Sequence, residues 1–470
     1  MTRTATQPPG SIPSYSSALN HLNRHRQGHV LAFWDTLDND QRESLLGQIA
    51  DLDLDAVDRC HDLLNTKCEE HLASLEVAPV TILAGDERVQ AIERGERSIR
   101  DGNVGVVVVA GGQGSRLGFD GPKGAYGIGP VSGVPLFHVH AHKILALERK
   151  YNAEVPFYIM TSQANDEDTR QFFDEHDYFG LSRDRVDFFT QGMWPALTSD
   201  GHIILDRPDH IFMSPDGHGG IISAMKRRGV LSDMNARGVQ TVFYFQVDNP
   251  MVDIADTAFI GFHEMNHAEI SLKVCAKRDA SEPVGSVVTK DGRNAVVEYT
   301  ELTDHQRHET LPDGTLKFLY GSPAIHAFQL SFLEGQAEIE LPIHIQHKKV
   351  PYCDKGRTVA PDSPNAYKFE KFIFDIIPRA ERSFNLAFSR KDEFSPVKNA
   401  EGPDSPDTAK GDLTKKFSRW LEQCGVQVPR SSSGEPVYRI EIDPVYALTA
   451  EDLNDRVSRD LDISGDLFLG

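Results

Sequence analysis

The stretch Val104 to Gly124, VGVVVVAGGQGSRLGFDGPKG, decides how the fold is interpreted. Within it, Val106 to Val109 is an unbroken β-branched run, which predicts a central parallel strand buried on both faces. Glycine follows this strand at Gly111, Gly112, Gly114 and Gly118. Because glycine tolerates positive φ and has no Cβ, backbone N–H groups in such a loop are able to close around an anion. Arg116 and Lys123 add positive charge, so the stretch predicts a nucleotide triphosphate site.

The spacing of this loop excludes two common nucleotide motifs. Gly112, Gly114 and Gly118 read G-x-G-x-x-x-G, whereas the dinucleotide fingerprint requires its third glycine one position earlier. A Walker loop ends in Gly-Lys-Ser/Thr, whereas this loop closes with Pro122-Lys123-Gly124 and offers no hydroxyl to a magnesium ion. The alternative is a turn that only lets a strand and a helix pack closely. Such a turn would not require Arg116 and Lys123.

Composition restricts the class of protein. The chain has 470 residues, 39% hydrophobic and 25% charged, which is typical of a soluble globular protein. A formal net charge of −21 argues against nucleic acid as a partner. No apolar run approaches the roughly 20 residues that a membrane helix needs, so we expect no membrane partner and a cytoplasmic protein. Because the chain as a whole is acidic, a polyanionic nucleotide must be held by local cations and a divalent metal.

The pattern along the chain predicts an α/β protein in three parts. Residues 1–100 read as a helical N-terminal region, with Asp38 and Gln41 as a capping box. Strands and helices alternate through the catalytic domain, residues 101–400, which predicts a parallel α/β sheet. The acidic, proline-rich loop EGPDSPDT marks a boundary, and residues 401–470 form a small C-terminal α+β domain. The sequence leaves the oligomeric state open.

Individual elements follow from periodicity and turn signals. We predict a hairpin turn at Asp291-Gly292. Strands are predicted at Val155–Met160, Val186–Phe189, Gln240–Val247 and Val437–Ile442, and helices at Asp166–His176, Gly219–Arg237, Ala366–Ile377 and Leu413–Gln423. Ligands of open α/β sheets bind beyond the carboxyl ends of the strands. The glycine loop, Thr161-Ser162, Gln191-Gly192 and Asp248 all follow predicted strands, so we expect them to share one edge.

The loop also carries a family resemblance. Ala110 to Gly118, AGGQGSRLG, and Pro122 to Gly124, PKG, resemble the signature of the UDP-sugar pyrophosphorylases, most closely the eukaryotic-type UDP-N-acetylhexosamine pyrophosphorylases. The resemblance extends roughly from Trp34 to Asn399. It implies a Rossmann-like, mixed but mainly parallel sheet of the nucleotide-diphospho-sugar transferase type.

The resemblance implies a set of residues for UTP and for catalysis. Gln191-Gly192-Met193 resembles a family segment whose glutamine reads the uracil edge, and an amide suits that base because it offers both a donor and an acceptor. Asp248 resembles the family's metal-binding aspartate, which implies Mg²⁺, with Mn²⁺ as an alternative. Lys398, in FSPVKN, resembles the lysine that holds the sugar phosphate. The implied UTP residues are Ala110, Gly111, Gly112, Gly114, Gln191, Gly217 and Asp248, and the implied catalytic residues are Arg116, Lys123 and Lys398.

Two of the residues that the resemblance implies for the sugar depart from the pattern of the N-acetylhexosamine subgroup. The full set is His218, Glu298, Ser322, Phe372 and Phe374. His218 occupies a position where the N-acetylhexosamine subgroup usually carries asparagine and the UDP-glucose pyrophosphorylases carry histidine. Ser322 replaces the asparagine of the family's G-N-I-A segment. Phe372 and Phe374, at i and i+2 of a predicted helix, cannot share one face, so at least one is expected in the core.

These features predict a uridylyltransferase that forms a UDP-sugar and pyrophosphate from UTP and a sugar 1-phosphate. UDP-N-acetylglucosamine is the first choice of product, and glucose, galactose or another hexose is the alternative. A different class of function is a catalytically silent UDP-sugar-binding regulatory protein.

One motif points to a metallopeptidase. His263-Glu264-Met265-Asn266-His267 is a literal H-E-x-x-H on a predicted helix. It lacks the downstream G-x-x-H extension, and the chain shows no separate protease-like domain. We interpret it as a chance match.

Overall fold

The computed structural model describes residues 14–66 and 75–470. Its α-helices are α1 Tyr15–Arg24, α2 Asn39–Asp51, α3 Leu54–Asn65, α4 Gly85–Arg100, α5 Leu136–Tyr151, α6 Asp166–Glu175, α7 Ile221–Arg227, α8 Val230–Ala236, α9 Thr257–Met265, α10 Asp304–His308, α11 Leu330–Gln336, α12 Arg390–Glu393, α13 Pro406–Gln423 and α14 Ala450–Asn454.

The strands are β1 Leu75–Val77, β2 Val104–Val109, β3 Phe157–Thr161, β4 Val186–Thr190, β5 Met193–Pro195, β6 Leu205–Arg207, β7 His210–Ile211, β8 Met213–Pro215, β9 Thr241–Gln246, β10 Ile270–Ala276, β11 Gly285–Lys290, β12 Arg293–Val297, β13 Tyr320–Gln329, β14 His344–Lys348, β15 Tyr352–Asp354, β16 Arg357–Val359, β17 Ala366–Glu370, β18 Ser383–Ala387, β19 Ile440–Ile442 and β20 Leu467–Leu469.

A mixed ten-stranded sheet organises the larger of two compact units, described residues 75–191, 221–340 and 374–470. One half of it is parallel, in the order β9-β2-β3-β4. Val106 of β2 pairs with Phe243 of β9 and with Phe157 of β3, and all three side chains are buried. The prediction of a central, doubly covered strand from the valine run is therefore confirmed.

The other half of the sheet is largely antiparallel. β13 pairs with β9, and β11 connects β13 to β1 and β12. The predicted hairpin joins β11 to β12, with φ of 53° at Asp291 and 73° at Gly292. Positive φ at both turn residues is the geometry that a two-residue hairpin favours, because it matches the twist of the paired strands. The mixed α/β sheet agrees with the predicted fold class.

The C-terminal segment shares the core of this larger unit. Leu413 and Phe417 of α13 and Ile440 of β19 belong to the same hydrophobic cluster as Val106 and Phe259. α13 begins at a capping box on Ser405 and extends through the predicted helix 413–423. Only Ile440–Ile442 of the predicted strand 437–442 is a strand.

The smaller unit comprises described residues 14–66, 192–220 and 341–373. Helices α1 to α3 bury Leu22, Leu45 and Val57 in one cluster with Ile203 and Phe369. The predicted capping box is present, since Asp38 accepts the Gln41 N–H at 2.9 Å and the Gln41 side chain accepts the Asp38 N–H at 3.0 Å. The division into residues 1–100, 101–400 and 401–470 remains a prediction.

Two predicted helices differ from the structure. The helix predicted over Ala366–Ile377 is wrong, because 366–370 forms β17, paired with β14, and 373–379 is a 3₁₀ segment containing Pro378. The alternation of Tyr367 and Phe369 with polar residues favours a strand once a partner is available. The helix predicted over Gly219–Arg237 is interrupted between α7 and α8, where Gly229 has a φ of 77°.

In the described ranges 14–66 and 75–470, no helix is both long and apolar enough to span a bilayer. The cytoplasmic location remains a prediction from the sequence.

Candidate functional site

At the carboxyl ends of the four parallel strands, the glycine loop, Gln191 and Asp248 lie along one edge of the sheet, whereas Gly217, which is also predicted to bind UTP, belongs to the smaller unit. The glycine loop follows β2, Gln191 follows β4 and Asp248 follows β9. Asn165, after β3, is buried and donates its side-chain N–H groups to the carbonyls of Ala110 at 2.9 Å and Gly112 at 3.3 Å. The sequence analysis missed Asn165, although an asparagine between a strand and a helix is itself a cap signal. Its hydrogen bonds hold the start of the loop.

Close packing explains the first glycine of the loop. A Cβ at Gly111 would lie 2.6 Å from Nε2 of Gln191, so an alanine there would displace the glutamine amide. Gln191 is 8% exposed, and its backbone N–H donates to the Thr161 carbonyl at 2.9 Å. The predicted uracil reader and the glycine loop are therefore in direct contact.

The glycine loop folds back on itself and so places its two cations. The Gly114 N–H donates to the Gly121 carbonyl at 2.9 Å, and the Lys123 N–H donates to the Gly112 carbonyl at 3.0 Å. Arg116 lies on an exposed 3₁₀ turn and makes no hydrogen bond or ion pair with a described residue. Its guanidinium is thus available to an anionic ligand.

Lys123 and Asp248 meet at this edge, and the backbone just before Lys398 lies beside them. Nζ of Lys123 lies 3.7 Å from Oδ2 of Asp248, and the two side chains are 17% and 12% exposed. The Val397 N–H donates to the Asp248 carbonyl at 2.8 Å, which brings the FSPVKN segment beside Asp248. The Lys398 N–H donates to the Asp404 carbonyl at 2.7 Å, while its ammonium makes no hydrogen bond or ion pair within the described ranges.

Asn249 reinforces this junction and was not singled out from the sequence. Its side chain donates to the Glu393 carbonyl at 2.7 Å and accepts the Ser395 N–H at 3.2 Å. It is 4% exposed. The end of β9 and the segment before Lys398 are therefore held together by a buried amide.

Within the smaller unit, the loop Pro215 to Gly220, PDGHGG, is bound to residues 371–373. The Lys371 N–H donates to the Asp216 carbonyl at 2.7 Å, and the Ile373 N–H donates to Nδ1 of His218 at 3.2 Å. The rings of His218 and Phe372 stack with centroids 5.3 Å apart. Gly217 has a φ of 81°, and a Cβ on it would lie 2.5 Å from the Lys371 carbonyl oxygen. Two predicted sugar residues are thus in contact.

His344 joins this group and was missed by the sequence analysis. Its ring stacks on Phe372 with centroids 4.1 Å apart. Phe372 is half-buried, whereas Phe374 is 7% exposed. The expectation that at least one of the two phenylalanines lies in the core is confirmed, although the segment is not the predicted α-helix.

The remaining sugar residues lie on the antiparallel half of the sheet. Ser322 of β13 is directly opposite Gly285 of β11 and is 4% exposed. A Cβ on Gly285 would lie 3.7 Å from Oε1 of Glu298, so this carboxyl group is adjacent to the same position. The Ser322 hydroxyl accepts the Ala324 N–H at 3.4 Å. The structure thus brings Glu298 and Ser322 together in the larger unit.

Comparison with known proteins decides the family. Residues 65–403 match the model of the UTP–glucose-1-phosphate uridylyltransferase family. The chain belongs to this family. It is 36% identical over 496 residues to UDP-N-acetylhexosamine pyrophosphorylase-like protein 1 of Xenopus tropicalis, covering 98% of this chain and 97% of that protein. It is 34% identical over 478 residues to UDP-N-acetylglucosamine diphosphorylase 2 of Arabidopsis thaliana, covering 95% of this chain and 92% of that protein.

Solved structures of this uridylyltransferase family share the fold. The uridine diphosphate N-acetylglucosamine pyrophosphorylase of Trypanosoma brucei, in complex with an inhibitor, matches with a TM-score of 0.83 and 27% identity, covering 98% of this chain and 99% of that chain. A UDP-N-acetylglucosamine pyrophosphorylase structure from Entamoeba histolytica matches with a TM-score of 0.77 and 32% identity, covering 84% of this chain and 100% of that chain. The predicted family and fold class are confirmed.

The H-E-x-x-H match is not a metal site in this member of the family. α9 ends at Met265, and His267 lies beyond the C-cap with a φ of 48°, so the prediction of both histidines on one helix is wrong. His263 is 2% exposed and hydrogen-bonded to the Ser271 hydroxyl at 3.0 Å. Glu264 accepts a hydrogen bond from Nε of Arg94 at 2.7 Å. His263 therefore packs in the core, and Glu264 forms an ion pair with Arg94.

Two buried histidines make the stability of the fold sensitive to acid. Burial lowers the pKa of His140 and of His263 to about 3, so both are neutral in the folded chain at neutral pH. Nε2 of His140 donates to the Val247 carbonyl at 2.9 Å, next to Asp248. Because the unfolded histidines titrate near 6.5, the unfolded chain binds more protons between pH 6.5 and pH 3, and stability falls as the pH falls through that window.

When the pH falls from about 7 to about 5, we expect each of these histidines to lower the free energy of unfolding by about 2 kcal/mol. Urea unfolding at both pH values measures this change. His263→Gln removes one titrating group, so its unfolding free energy is expected to depend less steeply on pH than that of the wild type. Identical pH slopes for wild type and variant would contradict the assignment.

Proposed function

We propose that the protein is a uridylyltransferase that converts UTP and a sugar 1-phosphate into a UDP-sugar and pyrophosphate. The observation that carries the proposal is the convergence of Lys123, Asp248 and the Lys398 segment beside the glycine loop. Cations alone would fit many phosphate ligands. The same glycine loop contacts Gln191 through Gly111, which adds a base-reading group to the phosphate site.

The reaction needs positioning and charge neutralisation more than acid–base chemistry. An oxygen of the sugar phosphate attacks the α-phosphorus of UTP, the new O–P bond forms, and the bond to the bridging oxygen breaks as pyrophosphate leaves with the electron pair. Because the nucleophile is already an anion, no general base is required. Lys398 holds the attacking phosphate, and Arg116 and Lys123 stabilise charge on the triphosphate and the leaving pyrophosphate.

Asp248 is suited to hold Mg²⁺, with Mn²⁺ as an alternative. Its carboxyl group is 12% exposed at the phosphate edge and has Lys123 at 3.7 Å as its cationic neighbour. Magnesium commonly binds through one or two carboxylates together with substrate phosphate oxygens, so a single aspartate fits. When bound, the ion neutralises charge on the phosphate oxygens.

For the sugar, we propose N-acetylglucosamine 1-phosphate. Support comes from Phe372, a half-buried aromatic side chain next to His218 that offers apolar surface of the kind an N-acetyl methyl group contacts, and from relatives named for N-acetylglucosamine or N-acetylhexosamine. Ser322 offers one hydroxyl where the family resemblance implies an amide. Because the serine side chain is shorter, its contact with the sugar is changed or bridged by water. Glucose and galactose 1-phosphates remain the competing substrates.

Measuring pyrophosphate release from UTP with each of four sugar 1-phosphates tests both the proposed reaction and the proposed sugar. We expect kcat/KM for N-acetylglucosamine 1-phosphate to exceed that for glucose 1-phosphate by about tenfold or more, since loss of one well-packed group costs about 1–3 kcal/mol. N-acetylgalactosamine and galactose 1-phosphates complete the set, and EDTA is expected to abolish turnover. Faster turnover of glucose 1-phosphate would contradict the sugar assignment. No pyrophosphate with any sugar would favour the silent binding protein.

A further inference from the structure

We propose that His138, His142 and Asp443 form a site for one transition-metal ion of the zinc class. The site would tie the C-terminal segment to α5, apart from the proposed magnesium position at Asp248. It is built from two histidines on one face of α5 and a carboxylate that follows β19. Neither the family motifs nor the proposed uridylyl transfer uses these three residues.

The three side chains present their ligand atoms to one another. Residues at i and i+4 are neighbours on a helix, and the rings of His138 and His142 lie with centroids 3.7 Å apart, tilted by 34° to each other. Nε2 of His138 lies 3.3 Å from Oδ2 of Asp443, and Nδ1 of His142 lies 2.9 Å from the same oxygen. All three ligand atoms lie within 4.8 Å of one another.

These distances are close to those of a tetrahedral zinc site. Zinc bonds of about 2.0–2.1 Å place neighbouring ligand atoms about 3.3 Å apart. The His138–Asp443 separation of 3.3 Å already has this value. The separation of 2.9 Å between Nδ1 of His142 and Oδ2 of Asp443 needs to open by about 0.4 Å. A side-chain rotation of that size requires no change of backbone.

The carboxylate is held in place by its own backbone. Oδ1 of Asp443 accepts the Val445 N–H at 2.8 Å, and the Asp443 N–H donates to the Leu469 carbonyl at 2.8 Å. Its side chain is 10% exposed, against 21% and 20% for His138 and His142. Fixed, partly buried ligands lose little freedom when an ion binds, which favours affinity.

A fourth coordination position is open to water. His138 and Asp443 line a cavity of about 140 Å³ between α5 and the C-terminal segment. This volume exceeds what a single water molecule needs. Two imidazoles, one carboxylate and one water form a donor set that zinc commonly accepts, whereas magnesium prefers oxygen ligands.

The second group with suitable geometry, His25 with Asp55 and Asp58, is a weaker candidate. It offers a single imidazole, Asp55 is exposed, and the Asp58 side chain is 36% exposed. The competing interpretation of the His138 cluster is a set of hydrogen bonds alone. Histidine N–H groups donating to Asp443 would tie the same segments together without any ion, so the experiment must separate the two.

The test uses the full chain after EDTA treatment and dialysis, titrated calorimetrically with ZnCl₂. We expect one Zn²⁺ per chain with a higher thermal midpoint, and a visible absorption band when Co²⁺ replaces Zn²⁺. His138→Gln and His142→Gln keep an N–H donor for Asp443 but remove an imidazole ligand. Each is expected to weaken Zn²⁺ binding at least tenfold and to abolish the Co²⁺ band, with melting of the metal-free protein little changed. His305→Gln, an exposed histidine on α10, is the matched control.

Three results would overturn the proposal. The first is a wild-type chain that binds no Zn²⁺ at about 10 µM. The second is unchanged Zn²⁺ affinity in both glutamine variants, each of which is tested singly and checked for folding by its melting curve. The third is loss of binding in His25→Gln alone, which would place the ion at the other cluster.

Discussion

Replacing Lys398 with alanine is expected to lower kcat for pyrophosphate release by about 10²–10³-fold, because a fixed cation at a developing phosphate charge contributes on that scale. The ammonium makes no hydrogen bond or ion pair with a described residue, so its removal leaves no protein group unpaired. The thermal midpoint is therefore expected to change little. Steady-state kinetics and thermal unfolding of the same preparation measure the two effects separately.

Arg116→Ala is the companion variant, with a similar expected loss, since Arg116 is exposed and likewise has no described ion-pair partner. Lys391→Ala is the matched control, because Lys391 is an exposed lysine seven positions before Lys398. Near-normal turnover in both Lys398→Ala and Arg116→Ala would contradict the proposed catalytic roles. Equal losses in Lys391→Ala would show that general surface charge, and not the position, is responsible.

Replacing Lys273 with methionine is expected to lower the free energy of unfolding by about 3–5 kcal/mol, the cost of breaking a buried ion pair. The Lys273 side chain is 1% exposed, and its Nζ lies 2.7 Å from Asp256 and 2.5 Å from Glu393. Burial raises the pKa of Glu393 to about 7 in spite of the opposing lysine. Without Lys273, the carboxylates of Asp256 and Glu393 would lose the positive charge that offsets their repulsion. Urea unfolding at neutral pH measures the loss.

A second substitution tests the origin of this loss. Lys273→Met with Glu393→Gln removes one uncompensated carboxylate, so part of the stability is expected to return. Lys226→Met is the control, because Lys226 pairs with Glu338 on the surface, where the side chains are 47% and 68% exposed. Such an exposed pair contributes about 0–1 kcal/mol. A Lys273→Met loss no larger than that of Lys226→Met would contradict the buried-pair account.

Local patterns predicted elements whose conformation depends on neighbouring residues. The valine run of β2, the capping box at Asp38 and the Asp291-Gly292 hairpin are each encoded within a few neighbouring residues. The shared edge of the glycine loop, Gln191 and Asp248 followed from the same patterns, because the carboxyl ends of parallel strands meet there.

Elements whose conformation depends on distant partners were predicted less well. The Ala366–Glu370 segment is a strand because β14 pairs with it, and the residues of the segment by themselves are compatible with a helix. The H-E-x-x-H motif fails for a comparable reason. α9 stops at Met265, and the left-handed backbone at His267 directs the chain away before the second histidine joins the helix.

Residue types and spacing were enough to predict the chemical groups of the candidate site: a glycine loop with two cations, and an amide, an aspartate and a lysine further along the chain. Which distant side chains meet was settled only by the packing of the folded chain. Asn249 binds the Glu393 carbonyl across 144 residues, and His142 meets Asp443 across 301. Periodicity and turn chemistry act over a few residues, whereas such contacts arise only when the sheet and its helices pack into one core.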